Sequence, residues 1–289
     1  MGREVNRVRS KEYKINRCVI YIFLVGLTVL TIYPIIYIFF GSFKENRELV
    51  LGGWNILPQK FVISNYTDAW EMANFAGYTF NSVILSIGTM IVALFVTSMA
   101  GYCYARGEFP CKELFYNLMI AFMFINVGSI SLRPLFELAV KVHLNQSRVT
   151  MILISAAGSQ ATFIFLVRGY MNTIPKELDE AAKIDGCGFF HIYWKIILPI
   201  LKPVLSAVAL LSFRGGWNEY IMPMIFTMSN PSLRPLTVGV VSLRNMGDGA
   251  AAWNIMFAGS VISIVPIIIL YMFTSKYFME GMTVGAVKG

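Results

Sequence analysis

Residues 175–199 read PKELDEAAKIDGCGFFHIYWKIILP. Pro175 suits a first-turn helix position, where its missing N–H costs nothing. Glu177, Asp179 and Glu180 put negative charge on the N-terminal turns, where the helix dipole favours it. Leu178, Ala181, Ala182 and Asp185 recur at i, i+3, i+4 and i+7 and so share one face, small and flat at the two alanines. Gly186 and Gly188 end this helix. A second, apolar helix is predicted from near Phe189 to just before Pro199. The product is a helix–turn–helix with a small-residue surface and carboxylates at its edge. Such a helix can dock in a groove of another protein, or lie on an interface without a partner; these residues alone leave both open.

The stretch is flanked by apolar runs on either side, and the chain around it repeats that pattern. Of 289 residues, 56% are hydrophobic and only 14% charged, and the mean hydropathy is +0.63. Soluble domains carry about a quarter charged residues. The charges here sit between the apolar runs, not along one face of each. A helix apolar all round belongs in a large core or in lipid, and this chain has too little other material to bury six of them in water. Spanning a bilayer takes about 20 mainly apolar residues. Six windows qualify, at about 18–40, 80–104, 114–132, 149–167, 203–222 and 252–275. Five lack Asp, Glu, Lys and Arg, and the fifth carries Arg214 and Glu219. The first has a basic start, but its apolar stretch is about 23 residues, against roughly 7–15 for a signal-peptide core. It reads as a retained helix.

Lys and Arg set the orientation. With the N-terminus inside, fifteen fall on the inner side: six before Cys18, two between the second and third windows, five over residues 168–202, and Lys276 and Lys288. Eight fall outside, and Arg214 lies within the fifth window. The positive-inside rule therefore places both termini and the 168–202 loop in the cytoplasm. The same placement accounts for the net charge of +8 as a topology signal and argues against nucleic-acid binding. Cys18, Cys103, Cys111 and Cys187 form no C-x-x-C pair and there are two His, so no zinc site is expected, and reduced thiols are. Asn65-Tyr66-Thr67 and Asn145-Gln146-Ser147 fit the glycosylation tripeptide, a pattern common by chance.

Glu180-Ala181-Ala182, Gly186 after three residues, and Ile196-x-Leu198-Pro199 nine residues further on resemble the EAA loop of ABC importer permeases at all seven positions. With Asp185 before Gly186, the loop looks like the carbohydrate-uptake branch, the maltose-type inner-membrane permeases. The likeness extends along the chain: Asn81-Ser82 opening the second window, Tyr104 to Pro110 after it, Trp217-Asn218-Glu219 in the fifth, and the ending from Gly281 to Gly289. One departure is Met282, where many relatives have Leu.

The resemblance implies an all-α permease of six transmembrane helices, a single domain over 1–289 with the loop 176–199 inside it. It implies that Glu180, Ala181, Ala182, Asp185, Gly186, Ile196, Leu198 and Pro199 form a coupling element that seats in a cleft of an ATPase subunit. It further implies two ATPase subunits holding ATP and Mg, a second homologous permease, an extracytoplasmic solute-binding protein, and a bacterial cytoplasmic membrane. The solute is then a sugar or oligosaccharide moved by alternating access. The C-terminal tail, with Gly281, Gly285 and Lys288, is expected to reach towards the ATPase interface.

The chain has no G-x-x-x-x-G-K-[ST] phosphate loop, so ATP hydrolysis is expected elsewhere. Polar residues inside the windows are candidates for the solute pathway, because burying them in lipid is costly. These are Asn126, Gln160, Arg214, Trp217, Asn218 and Glu219. Each has a plainer reading as a bond between helices, and Trp217 either stacks on a sugar ring or anchors at the interface. A transporter driven by an ion gradient is expected to show internal repeats and paired broken helices; neither is evident here, and the 175–199 element has no task in it.

Overall fold

A computed structural model describes residues 2–53, 55–72, 74–125, 128–244 and 252–286, and these contain helices but no strand. The α-helices in chain order are α1 (Gly2–Gly41), α2 (Asn46–Leu51), α3 (Ser64–Met72), α4 (Phe75–Arg106), α5 (Lys112–Met123), α6 (Leu132–Lys141), α7 (Arg148–Ala157), α8 (Gln160–Met171), α9 (Glu177–Ile184), α10 (Phe189–Ile192), α11 (Leu198–Ile200), α12 (Lys202–Asn218), α13 (Ile221–Phe226), α14 (Leu236–Leu243) and α15 (Trp253–Ala286).

Two stretches are long and apolar enough to cross a membrane as single helices: Arg17–Gly41 within α1, and α4. Three predicted windows are broken. The α7–α8 pair bends by 53° at Gly158-Ser159, a small-residue pair of the kind that kinks helices. The third window divides into α5 and, after the 3₁₀ turn Gly128–Ser131, α6. The fifth ends as α12 at Asn218, because Glu219 turns to extended backbone (φ −64°, ψ 129°) before α13 begins. At that last break Pro223 has no N–H to offer the Glu219 carbonyl, and the Thr237 hydroxyl donates to it instead at 2.8 Å.

The chain divides into two units. The first comprises Met1–Met72 and Ser242–Ile262. Its polar hub is Asn65, 2% exposed, whose amide N–H groups donate to the Ser42 and Lys44 carbonyls and whose oxygen accepts from Asn254 Nδ2 at 2.8 Å. The amide is committed to structure, so the tripeptide at Asn65 is not an accessible acceptor. Lys44 is also buried and satisfied, by Glu48 at 3.4 Å and by the Asn55 carbonyl.

The second unit comprises Ala73–Val241 and Ser263–Gly289 and is built on α4. Glycines let its neighbours approach closely. A Cβ on Gly101 would lie 2.5 Å from Val167 of α8, one on Gly88 2.5 Å from Ile152 of α7, and one on Gly216 of α12 3.0 Å from the Ser86 Cα. Close approach through small residues is how helices associate where lipid removes the hydrophobic drive between them. α4 opens five residues before its predicted window, so Asn81 and Ser82 lie inside the helix. The Asn81 amide donates to the Ser232 and Arg234 carbonyls, and Ser82 Oγ accepts from the Leu236 N–H, which fixes the loop leading into α14. A continuous apolar core joins Val167 and Met171 of α8, Ala182 of α9, Ile192, Tyr193 and Ile197, and Val204 and Val208 of α12.

Candidate coupling site

The 175–199 stretch folds as a helix, a turn and a second helical segment, as its sequence predicts. α9 begins at Glu177, two residues after Pro175, and ends in a Schellman cap: the Gly186 N–H donates to the Lys183 carbonyl at 3.0 Å and the Cys187 N–H to the Ala182 carbonyl at 2.9 Å. Gly186 takes φ +82°, in the left-handed region, and a Cβ there would touch nothing within 4 Å. Its requirement for glycine is therefore conformational. Gly188 opens the next segment, where the Ile192 N–H donates to its carbonyl at 3.0 Å.

The second segment does not stop before Pro199. Residues Phe189–Ile200 run as one helix with a π turn over Tyr193–Ile197, in which the Leu198 N–H reaches back to the Tyr193 carbonyl. The wider turn lets the helix pass through Pro199, which lacks an N–H and would crowd a regular α turn. The axis then bends by 78° into α12.

α9 also presents a different face from the one predicted. Asp179 and Ala182 point inward, both 5% exposed, while Ala181 lies outward with Glu180 and Asp185. Ala182 thus packs in the core, and the expected surface of paired alanines does not form. Exposed side chains here are Leu178, Ile184 at 87% exposure and, beyond the turn, Phe190, together with Glu180, Lys183 and Asp185. Ile196 and Leu198 are half-buried and Pro199 is exposed.

Asp179 explains the inward face. Its Oδ2 accepts from Arg106 Nε at 2.8 Å, with both side chains 7% exposed, and Arg106 Nη2 donates to the Ile174 carbonyl at 2.6 Å. Arg106 is the last residue of α4, so a buried, charge-assisted contact ties α9 to the end of the central helix. A second tie lies one turn up: Tyr102 packs on Phe189 and Tyr193, with ring centroids 4.5 and 5.3 Å apart, and the Tyr193 hydroxyl meets Ser98 Oγ at 2.7 Å. Neither tie is apparent from the loop itself. The available signal is Arg106 within the Tyr104–Pro110 stretch, placed by charge counting on the same side as Asp179.

The pathway candidates divide. Arg214 and Asn218 are exposed and Glu219 is half-buried beside the α12–α13 break. Trp217 is 2% exposed, stacks on Phe213 and donates its indole N–H to the Ser263 carbonyl at 3.3 Å. Its ring is enclosed and not open to a sugar, which corrects that expectation. Gln160 accepts from Thr97 Oγ1 at 2.9 Å, a bond between α8 and α4. Asn126 and Lys288 lie outside the described residues, and Gly281 and Gly285 fall within helical α15.

Residues 77–283 match the family model described as binding-protein-dependent transport system inner membrane component. The arabinooligosaccharides transport system permease protein AraQ of Bacillus subtilis is 32% identical over 97% of this chain and 99% of its own length. The melibiose/raffinose/stachyose import permease protein MelC of the same species is 30% identical over 81% of this chain and 84% of its own. The fold resembles a chain of a bacterial ABC transporter that imports the acidic polysaccharide alginate, with TM-score 0.78, 24% identity and coverage of 92% and 97%.

Proposed function

The chain belongs to the binding-protein-dependent transport system inner membrane components, and on that premise we propose that it passes a sugar or oligosaccharide through the membrane as the permease subunit of an ATP-driven importer. By length and composition, Arg17–Gly41, α4 and the bent pairs α5–α6, α7–α8 and α11–α12 supply up to five spans when each pair counts as one, and the shorter apolar stretch Trp253–Ile269 of α15 is taken as the sixth. Both termini and the 168–202 loop lie on the cytoplasmic side.

The observation that carries the reading is α9: a short helix with Leu178 and Ile184 exposed, and Phe190 exposed just beyond it, whose inner face is pinned to α4 by Arg106–Asp179. A partner ATPase, which holds the ATP and Mg, receives these exposed apolar side chains in a cleft, with Glu180, Ala181 and Asp185 at its edge. Gly186 shapes the turn, while Ala182, Ile196, Leu198 and Pro199 shape the base on which α9 stands. Movement of the ATPase then passes through α9 into α4 and tilts the bundle between inward- and outward-open states. Solute is delivered by an extracytoplasmic binding protein and enters between this chain and a second homologous permease. Arg214, Asn218 and Glu219, at the unwound end of α12, are the pathway groups of this chain, and the tail with Gly281, Gly285 and Lys288 extends towards the ATPase.

ATPase activity of the complex reconstituted in lipid tests this, with and without loaded binding protein. Stimulation by one loaded binding protein is expected, and loss of that stimulation in Ile184→Asp, whose side chain packs against almost nothing in the free chain. Solute uptake that persists without the ATPase subunits sinks the proposal.

A further inference from the structure

Where the second segment bends into α12, the surface of the second unit opens into a groove of about 810 Å³ between α4, Tyr193–Pro199 and the first turns of α12. Its walls are mostly bulky and apolar, with Leu94, Phe95, Leu198 and Leu205 among them. The hydroxyls that reach it are already satisfied within the chain: Ser98 bonds Tyr193 and the Leu94 carbonyl, and Ser206 bonds the Lys202 carbonyl. The polar exception is Lys202, exposed, lining the groove with no carboxylate beside it and no partner for its ammonium among the described residues. Trp194, half exposed, lines it too.

From this we infer that the groove holds one acyl chain of an anionic phospholipid, with the lipid phosphate on the Lys202 ammonium. Basic pockets between helices on the cytoplasmic side suit such headgroups, and a Trp at that level suits the interface. The volume lies within the roughly 300–1,000 Å³ of small-ligand sites. A helix of another protein fits less well. Helices associate through small residues, and here Gly88 and Gly101 face α7 and α8 and Gly216 faces α4, while the groove walls are mostly bulky, with Ser98, Ser206 and Ala209 as the small residues among them. The acyl chain itself gains little over the bilayer, which is equally apolar, so selection rests on the charge. One Lys at an anionic surface is worth ~1 kcal/mol, a preference of about fivefold.

The inference rests on the membrane placement of the 168–202 loop and not on transport. The full chain is exchanged into nanodiscs of equal parts phosphatidylglycerol and phosphatidylcholine, re-extracted, and its retained lipid counted by native mass spectrometry. Phosphatidylglycerol is expected over phosphatidylcholine by about fivefold. Lys202→Gln brings the two to parity, Lys202→Arg keeps the preference, and Leu205→Trp lowers retention of both by filling the groove. Equal retention by the unaltered chain, or a preference unchanged in Lys202→Gln, overturns the proposal. So does a Leu205→Trp chain that keeps its lipid but no longer copurifies with the second permease, since the groove is then a protein interface. The assay uses neither ATP nor solute, so its failure leaves the importer reading standing, and loss of the importer reading leaves the lipid count standing.

Discussion

At the scale of single residues, the Arg106–Asp179 pair ties α9 to α4 at the candidate coupling site. Both side chains are 7% exposed, so removing one partner leaves a buried charge without its complement, a loss of about 3–5 kcal/mol for pairs of this kind. Asp179→Ala is expected to lower the thermal midpoint of the detergent-purified protein and abolish ATP-driven uptake. Arg106→Met with Asp179→Leu should recover most of the midpoint, because a buried pair replaced by apolar side chains is nearly neutral; a double variant as unstable as the single one contradicts this. Gly186 makes a separate prediction. At φ +82°, with open space around its missing Cβ, any cost is backbone strain of roughly 1–2 kcal/mol, which Asn tolerates better than residues with larger or branched side chains. Stability and uptake should therefore fall in the order Gly, Asn, Ala, Val, whereas a limit set by bulk would put Ala ahead of Asn. These two residues differ in how far the sequence discloses them. The turn at Gly186 is local and legible. The inward face of α9 is not, because an aspartate in a short acidic helix reads as surface until its partner, 73 residues earlier, is brought against it.

At the scale of elements, the second unit is held by how closely α7, α8 and α12 approach α4. A Cβ on Gly216 would press on the Ser86 backbone at 3.0 Å, where nothing flexible can yield. Gly216→Val should destabilise by about 1–3 kcal/mol through overpacking. A Cβ from Gly101→Ala would crowd the Val167 side chain, with the Arg168 backbone nitrogen at an ordinary 3.5 Å, so Val167→Ala should partly rescue it; thermal unfolding of both single variants and the Gly101–Val167 double variant checks the contrast. The helices that make these contacts were legible as apolar windows, since length and hydropathy register them directly. Their breaks were not. Hydropathy is blind to Gly158-Ser159, where the axis turns by 53°. Proline is no guide either: Pro34 and Pro266 sit inside continuous helices, and Pro199 is carried by a π turn, whereas α12 stops at Glu219, four residues before Pro223. Whether a proline breaks a helix depends on which other group satisfies the freed carbonyl, and Thr237 is known only from the folded chain.

At the scale of the whole molecule, the orientation inferred from Lys and Arg decides which side meets the ATPase, and it is open to direct test. Cys111 is exposed between α4 and α5, on the side assigned to the cytoplasm. Arg133, its side chain 88% exposed, lies in α6 on the side assigned to the exterior. In intact cells, a membrane-impermeant maleimide should label Arg133→Cys in a cysteine-free background and should reach a variant retaining Cys111 alone only after permeabilisation. The reverse pattern inverts the chain and removes α9 from the compartment that holds ATP. The same chemistry links orientation to coupling. Lys183→Cys, exposed on α9, should label in permeabilised membranes of the chain expressed without its ATPase and become protected when the ATPase is present. Label that reaches Lys183→Cys equally in both cases would leave α9 correctly oriented but undocked, and the force from ATP would then have to enter through another element.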